Sequence, residues 1–170
     1  MKIGFLGVGK MGLALAQGIL QSDGEVSILI SDPNAGARES FLERVPRAVV
    51  LADNRAVCRD ADVVFLACKP QQLSAATESL RDGLSRPLYI SILAGVPTDQ
   101  LSTALGSERV IRVMPNTPCL IGRGVLGLAI NTKLSADDQN LAERLLANVG
   151  TVVRVSEESM DAVTGISGSG

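Results

Sequence analysis

The chain predicts an α/β fold, a mainly parallel sheet wound with helices on both faces, on three observations. Short apolar runs alternate with helical stretches from the first residues, giving a βαβαβ pattern with no internal repeat and no low-complexity linker. Hydrophobic residues make up 46% of the 170 and aromatics only 2%, so packing falls to Val, Ile, Leu and Ala, the palette of strands buried on both faces. Finally, Gly7-Val8-Gly9-Lys10-Met11-Gly12 stands directly behind Ile3-Gly4-Phe5-Leu6, where a first strand should turn into a first helix.

The pattern places strands near Lys2 to Leu6, Val26 to Ser31, Ala48 to Leu51, Val63 to Ala67, Leu88 to Leu93 and Val110 to Met114. Helical stretches fall between them near Met11 to Gln21, Ala35 to Arg44, Asn54 to Arg59, Leu73 to Arg81 and Thr98 to Leu105. Right-handed crossovers would gather the loops at the carboxyl ends of the strands on one edge, where such sheets bind ligands. After Met114 a hairpin or extra strand pair is expected, Gly124 to Ile130 and Thr151 to Val155. A well-signalled helix lies inside that pair, with Ser135 as cap, Asp137 and Asp138 in the first turn, and Gly150 just past the end.

Composition excludes several classes. The net charge is −2 and the 16 basic residues are scattered without aromatic interleaving, so no nucleic-acid footprint is visible. No 18-residue apolar stretch exists to span a membrane, and the opening apolar run is too short for a signal peptide. Cys58, Cys68 and Cys119 are odd in number and widely spaced, which reads as reduced thiols in a cytoplasmic protein rather than a disulfide framework or a zinc site. The chain has no histidine, so it holds no Ser-His-Asp triad, Cys-His pair or histidine metal cluster. No metal site is expected, and the chemistry would come from a cofactor.

The glycines fit a dinucleotide-binding turn. Gly7 would allow the tight bend, Gly9 the approach of a pyrophosphate, and Gly12 close packing of helix on strand, with the helix N-terminus facing the phosphates. Asp32, 20 residues beyond Gly12, stands where an acidic residue bonds the adenosine ribose of NAD. Its neighbours Ser31, Asn34 and Arg38 could instead cradle the 2′-phosphate of NADP, and Asp32-Pro33-Asn34 also reads as a turn that caps the next helix.

Ala67-Cys68-Lys69-Pro70-Gln71 and Ala94-Gly95-Val96-Pro97 close the fourth and fifth strands, with small residues that leave room for ribose and nicotinamide. Lys69 reads as a general acid, as a cation steering phosphates, or as a donor to a strand-end carbonyl. Met114-Pro115-Asn116-Thr117-Pro118 closes the sixth strand, where the Asn116 amide could hold a nicotinamide or substrate group, or the segment could be a rigid turn. Lys69 and Asn116 are the two weak catalytic candidates.

Lys2 to Gly12, Ala67 to Gln71, Val110 to Pro118 (VIRVMPNTP) and Asp161 to Gly170 (DAVTGISGSG) together resemble pyrroline-5-carboxylate reductase, the last enzyme of proline biosynthesis. The resemblance runs nearly end to end, and VMPNTP with VTGISGSG is more specific than any glycine fingerprint. Lys10, Leu93 and Cys119 depart from the residues usual there, and Leu93 is expected to narrow the nicotinamide side of the pocket.

The resemblance implies a Rossmann-like dinucleotide-binding domain over residues 1–155, with 156–170 opening a linker and helix toward a C-terminal helical dimerisation domain absent from these residues. It implies a cofactor site comprising Leu6, Gly7, Val8, Gly9, Lys10, Met11, Ser31, Asp32, Asn54, Ala67, Cys68, Lys69, Pro70, Ile92, Leu93 and Ala94. Gly12, Asn34 and Asn116 join that set from the residue reading, and Asn54 reads equally as a helix cap after Asp53. Ser167 and Ser169, on a glycine-rich turn, could bind a substrate carboxylate through backbone N–H groups.

The activity implied is reduction of 1-pyrroline-5-carboxylate to L-proline by hydride transfer from NADPH, with NADH possible, in a homodimer or higher homo-oligomer of the full-length protein. The 170 residues alone are expected to bind cofactor and turn over poorly. Two other readings stay open: a β-hydroxyacid dehydrogenase-like reductase, and a dinucleotide-sensing domain without catalysis.

Overall fold

The computed structural model describes residues 1–22, 24–80, 86–129 and 131–167. Eight strands form one sheet in the order β3-β2-β1-β4-β5-β6-β7-β8. In chain order they are β1 (Lys2–Leu6), β2 (Ser27–Ser31), β3 (Val49–Val50), β4 (Val63–Leu66), β5 (Leu88–Ser91), β6 (Val110–Met114), β7 (Gly124–Ala129) and β8 (Gly150–Val155). The helices are α1 (Lys10–Ser22), α2 (Ala35–Arg44), α3 (Asn54–Asp60), α4 (Leu73–Thr77), α5 (Thr98–Leu105), α6 (Ala136–Leu146) and α7 (Met160–Ser167).

Strands β1 to β6 are all parallel, and β1 lies between β2 and β4, so the winding reverses beside it. That reversal opens a crevice at the carboxyl ends of β1, β2 and β4. Alternate residues supply two cores. Ile3, Phe5, Phe65, Ile90 and Val113 pack under α1, α2 and α6, with the Phe5 and Phe65 rings stacked 5.0 Å apart. Leu6, Val64, Leu66 and Tyr89 pack on the opposite face against α3, α4 and α5. At Gly4 a Cβ would overlap a methyl group of Val57, so α3 lies closer to β1 than any side chain at that position would permit.

Three expectations change in detail. The helix expected over Leu73 to Arg81 is α4 followed by a 3-10 turn at Glu78–Leu80, with Arg81 outside the described residues. The strand expected over Ala48 to Leu51 pairs over two residues only, because β3 is an exposed edge with little apolar cover. Beyond Met114 no tight hairpin forms: β7 runs antiparallel to β6 across a 3-10 turn at Thr117–Ile121, and β8 then runs parallel to β7 through the crossover α6. Ser135 caps α6 by accepting a bond from Asp138 N, with Asp137 and Asp138 in its first turn. Gly150 opens β8, where a Cβ would overlap the Gly124 backbone. The close approach of β7 and β8 therefore requires glycine there.

Candidate functional site: a dinucleotide edge

The turn from β1 to α1 is built around two unlike glycines. Gly7 has φ +92, and its N–H donates to Ser31 O at 2.9 Å. A Cβ on Gly7 would lie 2.7 Å from Cys68 N and 2.8 Å from Ala67 C, so the bend is wedged between the ends of β2 and β4. Gly9 is the opposite case: a Cβ there would meet nothing within 4 Å. Its backbone faces open space at the start of α1, whose first internal bond runs from Leu13 N to Gly9 O. The N–H groups before Leu13 therefore have no partner inside the helix. The first turn of α1 has no acidic residue and carries Lys10, so the helix end is positive and suited to an anion. At Gly12 a Cβ would stand 3.2 Å from Gly7 O and 3.4 Å from the Ala67 Cβ, which is the close helix-on-strand packing expected of it.

Beside this turn lies a cavity of about 490 Å³ lined by Leu6, Gly7, Ser31, Asp32, Asn54 and Cys68 from the sequence-derived set. Asp32 is committed to the backbone on both oxygens: Oδ2 accepts from Val8 N at 3.0 Å and Oδ1 from Asn34 N at 2.8 Å. It braces the glycine turn against the end of β2, and its turn-forming role is thus realised. Asn34 caps α2, its Oδ1 accepting from Ala37 N at 3.1 Å, so its side chain serves the helix rather than the cavity. Arg38 lines the same wall, with Nη1 donating to Asp32 O at 2.6 Å.

Asp53, not Asn54, caps α3, through Ala56 N at 2.7 Å. Asn54 lines the cavity and donates from Nδ2 to Ala76 O at 2.8 Å, which ties the start of α3 to the far wall. Burial, opposed by a backbone hydrogen bond and aided by the charge of Asp32, raises the Cys68 thiol above its ordinary range. At neutral pH Cys68 is thus an uncharged wall residue.

The far wall was missed by the sequence reading. Gln72, Ala76 and Ser79 line the cavity from α4 and its flanking 3-10 turns. Gln72 also accepts from Lys69 N at 3.0 Å, which holds the Lys69-Pro70 turn. Small residues at 75 and 76 on a helix beginning just after a strand end were the available signal.

The remaining residues lie further along the edge. Ala94 is exposed and Ile92 half-buried after β5, whereas the Leu93 side chain is 2% exposed and packs with Val96, Leu101 and Tyr89. The expected narrowing of the pocket by Leu93 is therefore corrected: strand alternation turns this side chain into the core. Asn116 is half-buried, and its Oδ1 accepts from Val125 N at 3.0 Å, a brace between β6 and β7 that does not engage the amide nitrogen. Ser167 is the last residue of α7, not part of a turn, and its Oγ donates to Val163 O at 2.6 Å, the usual fate of a helical serine. Ser169 lies outside the described residues.

A parallel α/β sheet with this glycine turn, this open helix end and a cavity at its switch point defines a dinucleotide-binding domain. Residues 2–95 match the family described as NADP oxidoreductase coenzyme F420-dependent, and the chain belongs to that family. It is also similar along its whole length to pyrroline-5-carboxylate reductases: 37% identical to that of Synechocystis sp., over 100% of this chain and 64% of the relative, and 40% identical to that of Methanosarcina acetivorans, over 99% and 64%. Among solved structures, a pyrroline-5-carboxylate reductase from Coxiella burnetii superposes with a TM-score of 0.89 at 35% identity, covering 99% of this chain and 64% of that one. The Plasmodium falciparum pyrroline carboxylate reductase with NADP bound gives 0.85 at 29% identity, covering 99% and 62%. The chain thus spans just under two thirds of these relatives' length. No helix among the described residues is long and apolar enough to cross a membrane.

Proposed function

We propose that this chain is the cofactor-binding part of a cytoplasmic reductase that converts 1-pyrroline-5-carboxylate to L-proline with NADPH. The observation that carries the reading is the open backbone at Gly9 and the α1 N-terminus beside the 490 Å³ cavity, in a chain similar end to end to pyrroline-5-carboxylate reductases. The residues fit the cofactor. Gly9 and the first turn of α1 would take the pyrophosphate, and the Arg38 wall the adenosine end. Arg38 in the cavity wall, together with the NADP-bound pyrroline carboxylate reductase to which this chain is similar, favours NADP, while each Asp32 oxygen keeps a lone pair with which a ribose hydroxyl of NADH could bond.

When bound, the reduced nicotinamide supplies the hydride. The chain's own residues bind and orient. Ala67, Ile92 and Ala94 leave room along the strand ends, and Asn116, held by Val125 N, offers its amide N–H toward the nicotinamide or substrate. A protonated cyclic imine is already electrophilic at carbon, so no side chain need deliver a proton during the step, consistent with a chain lacking histidine. Residues 1–155 would form the dinucleotide unit and 156–170 the approach to a substrate-binding, dimer-forming region. By themselves these 170 residues should bind NADPH and turn over poorly.

The test is fluorescence titration of the chain with NADPH and NADH, followed by assay with 1-pyrroline-5-carboxylate and with β-hydroxyacids. Tighter binding of NADPH supports the reading. No binding of either nucleotide, oxidation of hydroxyacids, or brisk proline formation by the 170 residues would each overturn a part of it.

A further inference from the structure

Arg112 is a buried charge that the dinucleotide edge does not use. It sits in the middle of β6, its side chain 3% exposed, on the sheet face that carries α5 and α7. Its Nη1 donates to Glu157 Oε1 at 3.0 Å and its Nη2 to Asp161 Oδ1 at 2.9 Å. Glu157 is shared, since its carboxylate also accepts from Thr98 N at 3.1 Å and from Thr98 Oγ1 at 2.8 Å. One guanidinium thus ties β6 to the first turn of α5, directly behind the Ala94–Pro97 loop, and to the start of α7.

The course of α7 gives that tie a consequence. Asp161 stands at the level of Arg112. A Cβ on Gly127 would lie 3.0 Å from a Val163 methyl group and 3.8 Å from Met160 Sδ, and Gly127 pairs with Met114. Met160 and Val163 thus both reach the strand position opposite Met114, so the first turn of α7 lies against the sheet between the level of Arg112 and the end of β6, where Pro115 and Asn116 begin. Buried ion pairs seldom add net stability over apolar packing, but they impose one geometry. An apolar side chain at 112 would fill the same space without fixing the direction of α7.

We infer that Arg112 is a positioning residue, a latch whose grip on Glu157 and Asp161 sets where α7 meets the nicotinamide end of the sheet. The two legs are unequal. Glu157 is 35% exposed and also bonded to Thr98, whereas Asp161 is 78% exposed and its leg is screened by water. That this is the nicotinamide end of the sheet rests on the reductase reading above; the latch itself rests on geometry alone.

Regional hydrogen exchange on the 170-residue chain tests the latch, with NADPH affinity measured alongside for Arg112→Met, Arg112→Lys, Glu157→Gln and Asp161→Asn. Arg112→Met should speed exchange over 157–167 and 98–101 by roughly tenfold, with exchange over 1–80 and NADPH affinity unchanged. Glu157→Gln should act in the same direction, Arg112→Lys should recover part of the protection, and Asp161→Asn should change it by less than about twofold. Unchanged protection of α7 in Arg112→Met overturns the inference. So does a uniform loss across the chain, which would make Arg112 an ordinary core residue. Should Arg112→Met fail to fold, Arg112→Lys and Glu157→Gln carry the same comparison. Absence of NADPH binding by the unmodified chain would count against the reductase reading and leave the exchange result to judge the latch.

Discussion

At the β2–β1–β4 end of the sheet, Asp32, Asn34 and Asp53 give their side chains to nearby backbone N–H groups and so shape a cavity that none of them closes. At the β6–β7–β8 end, Arg112 reaches partners 45 and 49 residues further along the chain and anchors the start of α7, while Asn116 braces β7 against β6 through Val125 N. At the first end these bonds fix loops around a space for a ligand. At the second end the ion pairs of Arg112 hold β6, α5 and α7 together, and the smaller cavity beside them, about 390 Å³, is lined by Thr98 and Glu157 with no glycine turn at its rim. One sheet thus presents a binding end and a joining end, and substitutions should separate the two.

The largest effect falls on the joining end. Gly150→Ala would drive a methyl group into the backbone of Gly124, and backbone cannot yield without unpairing β7 from β8. We expect a loss of about 3 kcal/mol or more in unfolding free energy, measured by urea denaturation. Gly9→Ala should sharpen the contrast from the other side. Its methyl group meets open space, so stability should stay within about 0.5 kcal/mol, while NADPH affinity falls on the order of a hundredfold as the phosphates are held off the N–H groups. Loss of stability in Gly9→Ala, or full NADPH affinity, would show that the turn is structural only.

Asp32→Ala comes next. Removing two acceptors leaves Val8 N and Asn34 N to water and should cost about 1–2 kcal/mol, because the site is only half-buried. If the carboxylate is a brace, NADPH and NADH both weaken together. Selective loss of NADH would instead make Asp32 a reader of the ribose.

The binding end was largely legible in the sequence, and the joining end much less so. The limits of α2, α5, β1 and β6 match those observed: β1 and β6 are mainly apolar runs, α2 is bounded by its Asn34 cap although only Phe41 is buried, and α5 starts behind Pro97 and ends at Gly106. Gly7, Gly9 and Gly12 were legible because backbone conformation and close approach leave a mark on residue type. The wall formed by Gln72, Ala76 and Ser79 was not, because α4 spans only five residues and its small side chains carry no periodic signal. Arg112 stands inside VIRVMPNTP, but its partners lie 45 and 49 residues away, so the motif carries no sign of its ion pairs. Leu93 was placed at the pocket because the loop was read without the alternation that turns it inward.

The smallest effect concerns pH and belongs to the core behind the binding end. Burial pushes the Cys58 thiol up to about 11 from an ordinary 9.0, with a hydrogen bond from Tyr89 working the other way. The folded chain therefore holds a proton that the unfolded chain releases between these values. Stability from this group is complete below about pH 9 and is lost as pH rises toward 11. Urea midpoints taken across that window should fall more steeply for the unmodified chain than for Cys58→Ala, which has no thiol to titrate. Cys119, on the 3-10 turn between β6 and β7, is also raised by burial, so Cys119→Ala tests whether the joining end contributes its own share of the slope. Equal slopes for the unmodified chain and Cys58→Ala would mean that the Cys58 thiol titrates in the folded chain as it does in the unfolded one, and that its burial behind the binding end does not hold the proton.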